Sequence, residues 1–575
     1  MSIAEAHARL TAPGAPFEIE ERVIRGVPTR TWKNAPPTLR DVFLNGQRFK
    51  DREFLVYEDD RATYDSFGRA TIALAHRLIA DGVKKGDRVA VIMRNLPEWP
   101  VCFWAGVLAG AIVTPLNAWW TGPELEYGLA DSGTKIAFVD DERLDRIADV
   151  LPGLSGLEKV YVTRHAGAPA TPRTERLEDV IGPVNDWGRL PERAVPDVPL
   201  DPEDDATILY TSGTTGRPKG ALGTHRNMTS NLGASGVAAA RNFLRAGEPL
   251  PEMDATRLPQ RVTLLVVPMF HATGLSATLG PTMSAGGKIV LMRRWDAEPA
   301  MRLIQDEKVS STGGVPTIAW QLIEHPARAN YDLSTLLTVS YGGAPSAPEL
   351  VRRIAEVFPG SQPGNGWGMT ETTATFTSHL GQDYLNRPDS AGPAAPVGEM
   401  QIRDPADGKT VLPAGSVGEL WVKGPQVVKG YWNKPEATAE TFQEGWLRTG
   451  DLARIDEEGF LFIIDRAKDM LIRGGENIYC VEVENVLYDH PDVMDAALVG
   501  IPHKTLGEEP GAVVHLKPGG AATEAELRDF VRARLAAFKV PVKVAFWPET
   551  LPRNANGKIM KSELKKVFAE ELEQA

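Results

Sequence analysis

Between Ala70 and Tyr341, short apolar strand patterns alternate with segments that are apolar at helical spacing. Ala70 to Ala80 reads as a helix and Val89 to Met93 as a strand. A helix around Cys102 to Leu108 follows, then strands at Ile112 to Thr114 and Ile136 to Val139. A second run holds strands at Ile208 to Tyr210, Thr263 to Val267, Ile289 to Leu291 and Thr338 to Tyr341, with a helix at Pro299 to Glu307. Alternation of this kind commits a chain to α/β units, with mostly parallel sheets covered on both faces. Two such layers in succession are the economical reading. From Val397 to Ile464 the texture becomes short β-rich pieces, such as Gly418 to Val422 and Phe460 to Ile464, broken by Gly and Pro turns, which predicts a small β subdomain. Residues 466–575 carry 15 Lys and Arg with 17 Asp and Glu, a denser charge than the chain before them. With one predicted helix (Leu527 to Ala536) and a strand (Val542 to Phe546), this tail reads as a separate α+β unit. The boundary falls near residue 466, giving domains 1–465 and 466–575.

The chain has 575 residues and a formal charge of −13. At about 150 residues per domain the length allows roughly four structural units. The acidic balance argues against a nucleic-acid partner, since such binding needs surplus Lys and Arg to neutralise phosphates. Cys102 and Cys480 are the only cysteines, too few for a disulfide framework or a thiolate zinc cluster, and they fit a reducing compartment. The N-terminus carries acids where a signal peptide needs an apolar stretch, so a cytoplasmic location is expected.

Two windows, Trp99 to Pro123 and Val262 to Gly287, contain no charged residue and are long enough to cross a bilayer. Their content argues otherwise. Pro115 and Asn117 interrupt the first, and Pro268, His271 and Pro281 the second, so both read as buried helix–loop–strand segments and no transmembrane segment is expected.

The strongest local signal is Tyr210-Thr-Ser-Gly-Thr-Thr-Gly-Arg-Pro-Lys-Gly220, which follows a predicted strand. Its glycines expose backbone N–H groups, its hydroxyls donate hydrogen bonds, and Arg217 and Lys219 add positive charge, which together suit a polyphosphate. It lacks the Gly-Lys-Ser/Thr ending of a Walker A loop. On composition alone, a polar surface turn would serve as well.

This segment resembles the signature of the adenylate-forming superfamily, which includes acyl- and aryl-CoA synthetases, adenylation domains of peptide synthetases and luciferases. Further motifs of that family follow in order. The resemblance makes Thr211, Ser212, Gly213, Thr214, Thr215, Gly216 and Lys219 the cradle of the ATP phosphates. Tyr341-Gly-Gly-Ala-Pro345 is similar to the segment whose backbone, here Gly343, Ala344 and Pro345, packs against adenine. Gly366-Trp-Gly-Met-Thr-Glu-Thr372 looks like the motif in which Trp367 stacks on adenine, Thr370 bonds the α-phosphate and Glu371 holds Mg²⁺. Relatives more often carry Tyr at the Trp367 position. Arg448-Thr-Gly-Asp451 supplies Asp451 as acceptor for both ribose hydroxyls, with Arg466 as a second ribose contact.

By the same resemblance Lys468 is the hinge of a mobile lid, and Gly474 and Gly475 line the pantetheine tunnel of CoA. Cys480 stands where relatives often carry Pro and reads as a buried structural thiol. Pro552-Arg-Asn-Ala-Asn-Gly-Lys-Ile-Met-Lys561 matches the catalytic-lysine loop, which makes Lys558 the bridge between carboxylate and ATP. In isolation Lys558, Lys561, Lys565 and Lys566 would be an ordinary solvated helix start. His271, after a predicted strand, is placed beside the acyl pocket with Phe270, Gly274, Val315, Trp320, Tyr341, Gly366 and Met369. Apart from His271 this set is neutral and mostly apolar, which favours an unsubstituted fatty or aryl acid.

The expectation is therefore a large α/β domain of two layered subdomains plus a small β subdomain, followed by a small mobile α+β lid. The implied enzyme is an AMP-forming acid–CoA ligase using ATP, Mg²⁺ and CoA. It forms acyl-AMP first and a thioester after the lid turns. A stand-alone ligase loading an acyl-carrier protein is the alternative, and the resemblance leaves room for a homodimer.

Overall fold

The computed structural model describes residues 1–167, 173–211, 217–250, 252, 254–342, 348–467, 469–473, 476–554 and 557–572. Two eight-stranded sheets form its frame. The first runs, in spatial order, through Gly430–Tyr431, Gly220–Thr224, Asp205–Tyr210, Ile112–Pro115, Arg88–Ile92, Thr134–Asp140, Lys159–Thr163 and Thr174–Arg176. Its pairings are parallel from Asp205–Tyr210 onward and antiparallel at the other edge. The second runs through Ala374–Leu380, Gln362–Met369, Thr338–Gly342, Ser311–Gly314, Val262–Leu265, Lys288–Leu291, Glu53–Tyr57 and Asp60–Thr63, parallel except at its two edges. The alternation predicts two α/β layers in succession, but the layers do not simply follow one another. Ile208 to Tyr210, read as opening the second run, lies in the strand Asp205–Tyr210, which pairs parallel to Ile112–Pro115 in the first sheet. The early strand Glu53–Tyr57 pairs with Lys288–Leu291 in the second, because pairing between distant strands and not chain order decides the sheet.

The first uncharged window supplies all but the first residue of the helix Glu98–Leu108, whose residues are all buried. Beyond Glu98, which pairs with Arg164 at its start, the helix is apolar on every side and belongs in the centre of a core rather than on its surface. It packs with Phe43, Phe67 and Leu74 in the largest apolar cluster, which also takes in Met269, Phe270 and Leu275 from the second window. Among the described residues no helix is long and apolar enough to cross a membrane.

A third sheet is the β subdomain: Gly392–Pro393, Phe460–Arg466, Trp446–Ile455, Gly418–Lys423 and Glu399–Arg403, with Phe442–Gln443 paired to Trp446–Ile455. A fourth, of five strands from Leu471 onward, is built on the long antiparallel pair Val493–His503 and Gly507–Leu516, with Lys543–Phe546 parallel to the latter. Among the described residues this last unit has three α-helices, Cys480–Tyr488, Glu524–Arg532 and Lys561–Leu572, where the sequence reading expected one. The expected helix Leu527 to Ala536 also sits earlier than read. Thr523 and Glu526 form a capping box that starts it at Glu524.

Lys561 departs from the solvated reading. Its ammonium pairs with the buried Glu484 carboxylate at 2.7 Å, tying the C-terminal helix to the helix Cys480–Tyr488. Cys102 and Cys480 are free and buried, and burial pushes both thiols up, as expected of structural cysteines.

Candidate functional site

In open α/β sheets, ligands bind beyond the carboxyl ends of the strands. The second sheet gathers most of the expected residues there, because Tyr341 pairs with Asn365 and Gly342 with Gly366 on neighbouring parallel strands. Trp367, Met369 and Thr370 continue from Gly366, and Val315 follows the strand Ser311–Gly314. Phe270 and His271 follow the strand Val262–Leu265, and His271 lies 6.5 Å ring to ring from Phe270. A π-helical turn over Thr273–Leu279 comes next. A Cβ on Gly274 would collide with the Pro268 carbonyl, so the turn requires glycine there for packing. Tyr341 and Trp320 belong to a second apolar cluster with Leu350 and Ile354, and the Tyr341 hydroxyl is tied to that of Tyr384 at 2.7 Å.

The glycine-rich loop is fastened at both ends. The Thr211 N–H donates to the Lys219 carbonyl at 2.9 Å and closes its base. On one flank Tyr210 donates to Asp131, which also pairs with Lys434 at 3.0 Å. On the other, Tyr127 donates to the Pro218 carbonyl, and the Arg217 guanidinium lies over the Tyr127 ring at 5.2 Å. Ser212, Gly213, Thr214, Thr215 and Gly216 lie outside the described residues, as do Gly343, Ala344, Pro345, Lys468, Gly474 and Gly475.

Lys219 and Glu371 meet through a residue the sequence reading missed. The Lys219 ammonium sits 4.8 Å from the centre of the Tyr431 ring, and the Tyr431 hydroxyl donates to Glu371 Oε1 at 2.7 Å. Burial first, and then the Glu371 charge, pushes the Tyr431 phenol up, so it remains a donor at neutral pH. Strand pairing fixes the arrangement, since Tyr431 stands opposite Ala221, two residues after Lys219. The Gly-Tyr-Trp run at 430–432 was the available signal, a glycine–aromatic pair beyond the loop in sequence but beside it in space.

Glu371 is 6% exposed, on the turn Thr370–Thr372. Among the described residues no cluster of three or more metal-binding side chains occurs. One buried carboxylate with, among the described residues, a single neutral side-chain donor fits a hard cation that takes its remaining oxygens from phosphates and water.

Asp451 accepts from the Trp367 indole N–H on Oδ2 at 2.8 Å and faces Arg466 Nε from Oδ1 at 3.3 Å. Arg466 is its cross-strand partner. Just beyond, Asp465 accepts the Cys480 N–H at 2.5 Å, and burial pushes its carboxyl up to about 6.

The Lys558 loop folds over this edge. A Cβ on Gly557, at φ +72°, would run into the Val315 side chain, so backbone and pocket wall are in direct contact. Lys517 adds a cation–π contact 5.6 Å above Trp320. The loop is held by groups the sequence reading also passed over. Arg553 donates to the Gly557 carbonyl and grips both Asp495 oxygens at 2.8 Å, while Tyr488 donates to Asp495 at 2.7 Å. Asn554 receives the Lys558 N–H at 3.1 Å.

The chain matches the AMP-binding enzyme family over residues 42–432 and the AMP-binding enzyme C-terminal domain over residues 482–558. It is 35% identical over 506 residues to a feruloyl-CoA synthase of an Amycolatopsis species, covering 88% of this chain and 94% of that one. It is 33% identical over 545 residues to a long-chain-fatty-acid–CoA ligase of Bacillus subtilis, covering 92% and 94%. A crystal structure of the anthranilate CoA ligase AuaEII with anthranoyl-AMP superposes with a TM-score of 0.79 at 25% identity, over 92% of this chain and 98% of that one. With this fold, and with matches on both sides of residue 466, the chain belongs to the adenylate-forming AMP-binding enzymes and is an AMP-forming acid–CoA ligase.

Proposed function

We propose that the acid is a fatty or aryl carboxylic acid, and that catalysis is divided between a body (1–465) and a lid (466–575). The observation that carries this reading is the seating of the Lys558 loop against Val315, together with the linked Lys219–Tyr431–Glu371 chain. In the first half-reaction a carboxylate oxygen attacks the α-phosphorus of ATP and pyrophosphate leaves. Lys219 and the hydroxyls of Thr211 to Thr215 hold the departing charge, Thr370 bonds the α-phosphate, and Lys558 draws carboxylate and phosphate together. Such a displacement needs positioning and neutralisation more than covalent help. Glu371 would hold Mg²⁺, which supplies charge neutralisation on the phosphates. Gly343, Ala344, Pro345 and Trp367 enclose adenine, and Asp451 and Arg466 take the ribose.

In the second half-reaction the lid turns about Lys468, withdraws Lys558 and brings Gly474 and Gly475 over the site, and the CoA thiolate attacks the acyl carbonyl. Covering the adenylate keeps water from it. The neutral surroundings of Phe270, Val315 and Met369 favour a tail without charge, and the relatives named above include both an aryl-acid and a fatty-acid enzyme. The test is a ligase screen of C2–C18 fatty, benzoic and cinnamic acids, with CoA and with a holo-acyl-carrier protein as acceptors. Thioester formation with CoA on an uncharged acid supports the reading. Turnover with the carrier protein alone, or with charged acids alone, overturns it.

A further inference from the structure

A tryptophan that serves only as a stacking platform has no need of a partner for its edge. Trp367 has one. Its indole N–H points at Asp451 Oδ2 from 2.8 Å, and Asp451 is itself 4% exposed. Three other contacts fix the two residues. The Trp367 backbone N–H donates to Thr377 Oγ1 at 3.2 Å, and Phe376 meets the indole edge to face at 6.2 Å between centroids. The Asp451 N–H donates to Thr449 Oγ1 at 3.1 Å, and that hydroxyl is held by the Leu420 carbonyl. Backbone and ring are thus set, and the remaining freedom is rotation of the carboxylate plane.

Among the described residues one hydrogen bond and one ion pair restrain that plane, and they are unequal. Arg466 reaches Oδ1 at 3.3 Å from a side chain that is 35% exposed, two residues before position 468. Trp367 reaches Oδ2 at 2.8 Å from a strand inside the second sheet. An ionised carboxylate offers about four acceptor positions. With the Trp367 bond on Oδ2 and Arg466 facing Oδ1 as an ion pair, both oxygens keep an acceptor position, which matches a pair of neighbouring hydroxyls.

We propose that Trp367 is a positioning residue: its indole N–H sets the plane of the Asp451 carboxylate, and thereby how strongly the site prefers a nucleotide with both ribose hydroxyls over a deoxynucleotide. This rests on the reading of Asp451 as the ribose acceptor. A Trp367 that acted by stacking alone would touch the base and have no influence on the sugar.

The test compares ATP with 2′-deoxy-ATP and 3′-deoxy-ATP in pyrophosphate exchange, together with calorimetric binding of AMP and 2′-deoxy-AMP, for the wild type, Trp367→Phe and Asp451→Asn. Trp367→Phe keeps an aromatic face and deletes the donor. It is expected to lower kcat/KM for ATP about tenfold, the scale of one hydrogen bond to a charged group. Its effect on the deoxynucleotides should be much smaller, so the ribo-to-deoxy ratio collapses, and AMP binding should follow. If all nucleotides weaken together with the ratio intact, the residue stacks and nothing more, and the inference is overturned. Asp451→Asn separates the two layers of the argument. A ratio that survives Asp451→Asn refutes the ribose reading itself, whereas a ratio lost in Asp451→Asn and kept in Trp367→Phe refutes only the role of Trp367. Should Trp367→Phe fold poorly, replacing Trp367 by benzothienylalanine retains shape and face and lacks the N–H, and the same ratio decides.

Discussion

Asp495 is a sensitive point of the lid, although it touches none of the expected substrates. Its carboxylate is 2% exposed and takes Arg553 on both oxygens, the Tyr488 hydroxyl and the Leu551 N–H. Arg553 in turn caps the Gly557 carbonyl beside Lys558. Asp495→Asn keeps the shape but removes the charge, and one amide N–H₂ must then face the guanidinium. Breaking a buried pair from one side costs about 3–5 kcal/mol, because the remaining charge is left uncompensated. Taking about 3 kcal/mol, and about 1.4 kcal/mol per factor of ten, the ordered loop loses on the order of 10²-fold in population relative to displaced forms. Pyrophosphate exchange, which reads the adenylation step, should therefore fall on the order of 10²-fold. Thioester formation from supplied acyl-AMP and CoA, in which Lys558 takes no part, should fall far less. Equal losses in both assays would mean that the pair holds the whole lid together rather than the loop. No loss in either would mean that the loop does not depend on it. Either result refutes the reasoning.

Three other outcomes are expected. Lys558→Ala should abolish carboxylate-dependent pyrophosphate exchange and largely spare thioesterification of supplied acyl-AMP, and equal loss of both would sink the proposed division of labour within the lid. Tyr431→Phe removes the donor on Glu371 while keeping the ring under Lys219, so calorimetric binding of ATP should weaken severalfold with Mg²⁺ present and hardly at all with EDTA; an equal loss in both would refute this. His225 is 2% exposed, accepts the Leu39 N–H, and is pushed by burial from 6.5 to about 4, so it folds as the neutral ring. The unfolded chain binds the extra proton below pH 6.5, and stability should fall by about 3 kcal/mol in all as pH drops from 6.5 to 4. Asp465, held up near 6, contributes in the opposite sense, so the comparison is the difference between wild type and His225→Gln in denaturant midpoints across that range. A pH-independent difference would refute the assignment.

Much of the frame was legible because its cause is local. Parallel strands buried on both faces must be short apolar runs, and Val89 to Met93 and Ile289 to Leu291 lie within one residue of the strands Arg88–Ile92 and Lys288–Leu291. Helix ends were read less well, since capping decides them: Thr63 and Ser66 start the helix at Tyr64, six residues before the Ala70 read from the sequence. The motif residues were legible as chemistry, but what positions them was not. Tyr431, Asp131 and Asp495 act on residues 60, 79 and 58 positions away in the chain, and no spacing rule carries that information. The same gap hid the ion pair of Lys561, which looks solvated among its lysine neighbours until Glu484 is brought beneath it.

The helix Glu98–Leu108 has a consequence for how the chain comes to exist. Buried on all sides, it has no polar face beyond Glu98 on which to wait in water, and the apolar cluster that holds it draws on residues from Leu39 to Leu291 and Ala374. A chain growing at about 5–20 residues per second exposes this segment for many seconds before the strand Lys288–Leu291 is made. Slowing synthesis between residues 108 and 291 should therefore favour aggregation over yield.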